Sequence, residues 1–204
     1  MLTARRLGLL FGATMLFVLT GCDIYIPIFH EDPTTISEDR SELAKQEDDR
    51  IRGDILSAFV EQDVGSLKNV TVDVYANNVL LTGTVVAPEA KETAGTVAAS
   101  AESVRKVINE IQILEDSSLR DKAEDLSIEN RLKASLREST KINSFNLRWH
   151  SVNGVAYLFG RAKSKNERDR ALEIARSVNG VKDVVDHIEV RRPEGTQSWV
   201  DNLL

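Results

Sequence analysis

The sequence predicts an α+β protein made of two tandem αββαβ modules, each a three-stranded sheet with two helices on one face, behind an N-terminal export signal. Three observations carry this. The chain repeats itself at a constant offset; each copy switches between helical and strand periodicity; and an apolar leader ends at the only cysteine.

Laying residues 51–113 over 128–190 aligns them from end to end without a gap. Identical pairs include Ile51 and Ile128, Leu81 and Leu158, Gly83 and Gly160, Ala94 and Ala171, Val104 and Val181, and Ile111 and Ile188. The matches fall on apolar and glycine positions, the ones a fold depends on. Aromatics make up only 5% of the chain, so both cores are expected to be aliphatic.

Each copy opens with an amphipathic helix, marked by Ile51, Ile55, Ala58 and Phe59 and again by Ile128, Leu132, Ser135 and Leu136. Two strands follow, with alternating Val70, Val72, Val74 and then Val79, Leu81 in the first copy. The second copy has Leu147, Trp149, Ser151 and then Ala156, Leu158. The intervening turns are Ala76-Asn77-Asn78 and Asn153-Gly154, and asparagine and glycine tolerate the positive φ of a tight hairpin. Second helices are expected over about Pro88–Ala101 and Ser164–Val178, with Pro88 suited to a first turn. Gly180 suits the left-handed residue after a helix, whereas the first copy has Glu102-Ser103 there. Last strands run from Val104 or Val181 to Ile113 or Val190.

Arg5 and Arg6 form a positive leader, and Leu7–Leu19 is an uncharged apolar run too short to span a bilayer. Leu19-Thr20-Gly21-Cys22 resembles the bacterial lipobox. That resemblance implies cleavage after Gly21 and acylation of Cys22, so the membrane is the expected partner of the Cys22 lipid. Residues 1–21 are then signal peptide, and residues 22–45 form a lipidated, acidic tether without a packed core. A helix is expected to start near Thr34 or Thr35.

Asn153-Gly154-Val155-Ala156-Tyr157-Leu158-Phe159-Gly160, followed by Gly180-Val181-Lys182-Asp183-Val184, resembles the BON domain. The first copy departs at Asn77 and Ser103, where glycine is usual. The likeness covers roughly residues 46–191 and divides them into a first domain over 46–114, a linker over 115–124 and a second domain over 125–191. Residues 192–204 form a tail. A lipobox before two such domains is similar to the dual-BON lipoproteins of the DolP/OsmY-like group. This implies an envelope protein that faces the periplasm, binds anionic phospholipid and supports membrane integrity. The alternative is an interaction adaptor for another envelope protein. The family favours the outer membrane, while Asp23 beside the cysteine is an inner-membrane retention signal in enteric bacteria.

No Ser-His-Asp elbow, phosphate-cradling glycine loop or HExxH is present, so no enzyme and no cofactor are expected. His30, His150 and His187 lack metal-ligand spacing, and no metal is expected. The absence of a GxxG loop in an acidic, exported chain argues against nucleic acid. Charge is more informative. Residues 125–192 hold 14 Lys or Arg against 9 Asp or Glu, a net of +5 in a chain of −6, so the remainder sums to −11.

The cations Arg161, Lys163, Lys165, Arg168, Arg170 and Arg176 gather around the second helix of the second copy, with Glu167, Asp169 and Glu173 between them. Taken alone, this is a solvated helix face laced with ion pairs. The resemblance implies that this helix meets anionic phospholipid, which makes the six cations candidates for lipid binding. Tyr157 and Phe159 point away from the helices, with Arg148 and His150 on the same face. That face is expected to pack on the first copy, the linker or Trp199 of the tail, or else to form a protein-contact surface.

Overall fold

The computed structural model describes residues 37–61, 65–114 and 119–191. The expected signal segment, Cys22, Asp23, the expected helix start near Thr34, residues 115–118 and the tail with Trp199 lie outside the described residues.

The first module runs α1 (Glu42–Glu61), β1 (Val70–Tyr75), β2 (Asn78–Val85), α2 (Pro88–Ser100), β3 (Lys106–Asn109) and β4 (Gln112–Ile113). The second runs α3 (Leu119–Glu138), β5 (Leu147–Val152), β6 (Val155–Ala162), α4 (Lys165–Ser177) and β7 (Asp183–Val190). Both are αββαβ. In each, the central strand pairs antiparallel with the strand before it and parallel with the last.

The last strand of the first module, expected as one, comes in two pieces. Both pieces still follow β2, because the Glu110 N–H donates to the Leu81 carbonyl between them. The long polar stretch before α1 also departs from a bare tether. Residues 37–41 are fastened to both modules, and α1 already begins at Glu42.

Each helix pair buries its stripe on one face of its sheet. Ile51, Ile55 and Phe59 of α1 meet Ala94, Val97 and Ala98 of α2 over Val72, Val74, Val79 and Leu81. Ile128, Leu132 and Leu136 of α3 meet Ala171, Leu172, Ile174 and Ala175 of α4 over Leu147, Ala156 and Leu158. At about 25 cal/mol per Å² of apolar surface, such stripes hold the helices more firmly than their intrinsic propensity does.

Gly83 and Gly160 lie at matching places with φ of +106° and +127°. A Cβ there would fall about 2 Å from the carbonyl oxygens of Asn69 and Asn146, so close backbone approach requires glycine at both positions. Each first helix also clamps its hairpin. Asp48 accepts the Ala76 and Asn77 N–H groups, and Asp125, its equivalent in the second copy, accepts those of Asn153 and Gly154.

The two sheets meet through the faces their helices leave open. Tyr75 and Leu80 of the first module pack with Val152, Tyr157 and Phe159 of the second, and Ile108 and Val185 border them. The Phe159 ring stands edge-on to Tyr75, with centroids 6.4 Å apart. Polar contacts ring this apolar centre. Glu110 faces His187 at 2.9 Å, Thr71 Oγ1 faces His150 Nε2 at 3.2 Å, and Gln112 donates to the Tyr157 hydroxyl at 3.1 Å.

Candidate functional site

Of the six cations around α4, four are engaged within the protein. Arg168 pairs with Asp186 at 2.6 Å, Arg170 with Glu173 at 2.6 Å, Lys163 with Asp39 at 3.5 Å and Arg161 with Glu189 at 3.7 Å. Lys165 and Arg176 stay exposed, with no ion pair to another described residue. Asp169 and Glu173 lie between them on the outer face of the helix. The six therefore do not form one basic patch, and the outer face of α4 is mixed in charge.

The protein-contact candidates go elsewhere. Tyr157 and Phe159 are buried against the first module, which removes them from any external surface. Arg148 reaches Glu38 at 3.1 Å, donates to the Phe145 carbonyl at 3.0 Å and lies 5.6 Å from the Tyr75 ring centroid. The reason is geometric: an open sheet face with two aromatics needs a cover, and the matching face of the other module provides it.

A different constellation emerges at the end of the second module where α3 finishes and α4 starts. The 3₁₀ turn Ser144–Asn146 exposes Phe145, 41% accessible, with the Arg137 guanidinium 5.4 Å from its ring centroid. Lys133, Lys141 and Lys165 are exposed, and Lys163 lies beside Asp39. Glu167, nominally an opposing acid, is tied to the Asn143 and Lys163 amides, both at 2.6 Å. Glu138 is exposed among the cations.

The root of the N-terminal segment is fastened to this same end. Asn143 donates to the Ser37 carbonyl at 2.8 Å, and Asp39 and Asn146 exchange two 2.9 Å hydrogen bonds. Arg40 then bonds to Asp48 and lies 4.0 Å over the Tyr75 ring. The chain thus enters between the modules before α1 begins.

The offset of the repeat shows how this end differs from its counterpart. Lys133, Arg137 and Lys163 stand where the first module has Leu56, Val60 and Val86, all exposed. That signal lay in the sequence, in the unmatched surface positions of the repeat and not in its identities.

Electrostatics concentrate where the sheets meet. Burial works against charge on His150, but its hydrogen bond to Glu129 and the charges of Glu129, Asp73 and Asp125 outweigh it and raise its pKa. Burial pushes the Asp73 carboxyl up, against the pull of His150 and Arg148. Among the described residues no cluster of His, Cys, Asp and Glu could hold a metal ion, and no helix is long and apolar enough to cross a membrane.

Comparison with known proteins accounts for this architecture. The BON domain family model matches residues 47–115 and 124–192. The chain is 35% identical over 128 residues to an uncharacterized protein in the gshII 5′ region of Anaplasma centrale, covering 62% of this chain and 85% of that one. It is 25% identical over 183 residues to the outer membrane lipoprotein DolP of Haemophilus influenzae, covering 89% and 93%. It is 26% identical over 147 residues to the osmotically-inducible protein Y of Escherichia coli, covering 71% and 73%. Two copies of one fold, each matched over nearly its full length, make this chain a dual BON-domain protein of the DolP/OsmY-like kind.

Proposed function

We propose that the protein is a non-catalytic envelope lipoprotein, acylated at Cys22, whose second module rests on anionic phospholipid and so supports membrane integrity. The observation that carries this reading is the fastening of Ser37 and Asp39 to the end of the second module that bears Lys133, Arg137, Lys141, Phe145, Lys163 and Lys165. The stretch from Cys22 to Ser37 reaches roughly 50 Å at full extension. A lipid on Cys22 therefore holds that end near the bilayer, where each Lys or Arg contributes on the order of 1 kcal/mol. Weak intrinsic affinity is enough, because the tether raises the local concentration. The similarity to the outer membrane lipoprotein DolP of Haemophilus influenzae supports the envelope location, and the outer membrane is the destination proposed here.

Flotation of the unlipidated protein, residues 23–204, with vesicles tests this. It should float with phosphatidylglycerol vesicles, and Lys133→Glu with Arg137→Glu should abolish flotation. Arg170→Glu with Arg176→Glu, on the mixed face of α4, should change it little. Equal binding to neutral and anionic vesicles would sink the proposal.

A second reading, docking of an envelope protein, is favoured by a separate observation. Val60 is 79% and Val86 64% exposed at the end of the first module, where Leu56 and Ile113 are also exposed.

A further inference from the structure

Equivalent positions of the repeat meet one another where the sheets pack. Glu110 and its equivalent His187 are 2.9 Å from each other. Leu80 and Tyr157, Tyr75 and Val152, and Ile108 and Val185 are equivalent pairs within one apolar cluster. At each of these positions the two copies carry unlike residues. An acid stands opposite a histidine, and each tyrosine is matched by a smaller aliphatic side chain. A further equivalent pair, Asp73 and His150, lies within electrostatic reach.

We propose that the two open sheet faces are coded to accept each other and to reject a copy of themselves, so that the excluded partner is a second copy of this chain. If the first modules of two chains met in the same way, Glu110 would face Glu110 and Asp73 would approach Asp73. If two second modules met, His187 would face His187 and Tyr157 would face Tyr157 where Leu80 now leaves room. Like charges at a partly buried contact cost more than an exposed pair gains. The internal pairing satisfies all of these positions at once. Because the link is covalent, it also competes at high effective concentration.

The residues around the two histidines belong to the same code. His187 faces Glu110. His150 faces Glu129 and Asp125 of α3 and Thr71 and Asp73 of β1, with Arg148 on its own strand. The first copy has Arg52 where the second has Glu129, so the supporting helix residue is exchanged together with the sheet residue.

The test uses the mature chain with Cys22→Ser, followed by small-angle scattering for module separation and sedimentation velocity for association. His187→Glu, which sets a carboxylate against Glu110, should raise the separated fraction about tenfold and leave the chain monomeric, because every pairing of the two faces then sets Glu against Glu. Glu110→His with His187→Glu exchanges the pair and should restore a compact monomer. If His187→Glu fails to fold, the exchanged variant decides: a folded, compact monomer supports the code. An exchanged variant as open or as unfolded as the single one overturns it, as does a single variant indistinguishable from the parent.

Discussion

The two modules share a fold and differ in the hardware that closes it. In the second, the hairpin turn is Asn153-Gly154, Gly180 follows α4 at φ +94°, and Ser164 caps α4 by accepting the Glu167 N–H. In the first, Ala76, Asn77 and Ser103 hold positive φ without glycine, and Ala87 gives α2 no side-chain cap. The contrast extends to the last strand. Asn109 ties it to the Lys91 carbonyl, while its equivalent Asp186 makes an ion pair with Arg168. The second module is therefore the one with the better turn and cap residues.

The largest effect should be the same in both modules. Gly83→Ala and Gly160→Ala each force a Cβ into a backbone carbonyl, and each should cost more than about 3 kcal/mol in denaturant unfolding. A clear difference between them would show that one module tolerates a wider gap between its first strand and its glycine.

Removing the hairpin clamps comes next. Asp125→Ala strands two amides and the Ser151 hydroxyl, and should cost about 2–3 kcal/mol. Asp48→Ala strands two amides and leaves Glu38 as the ion-pair partner of Arg40. It should cost a similar amount and, in addition, make the segment at residues 37–41 sensitive to protease.

The pH response draws on one group from each module, and the two share a sign. His150 titrates above its usual value when folded, so its stabilisation is full below about pH 6.5 and is lost as pH rises through the folded value. Asp73 is raised by burial, and its neutral form likewise favours the folded state. Both effects act in one direction, and the rise in the His150 value alone should set the denaturant midpoint higher at pH 6 than at pH 8. His150→Gln should shrink that difference.

The smallest effect is a gain. Ser103 sits at φ +68°, where the second module uses glycine, and Ser103→Gly should stabilise the first module by about 0.5–1 kcal/mol. The same change in a chain whose modules have been separated should give a larger fraction of the total stability.

The cores and the strand order were legible because buried positions obey the helical and strand periods and recur at one fixed offset. The charge pattern was less so. Arg168 on α4 finds Asp186 on β7, and Arg161 on β6 finds Glu189, so counting along the chain gathered cations whose partners fold in from elsewhere. The covering of Tyr157 and Phe159 was open to several readings, since complementarity between unlike faces appears only when one sheet is laid on the other. The Ser37–Arg40 docking left no periodic trace. It rests on individual polar groups that have no repeat pattern to betray them.

That docking also imposes an order in time. Asp39 closes on Asn146, far along the chain, so the clasp cannot form until synthesis has run well into the second module. A molecule interrupted before that point would have a first module but no clasp to hold residues 37–41. The contact that joins the start of the fold to its second half is thus also a mark that both halves have been made.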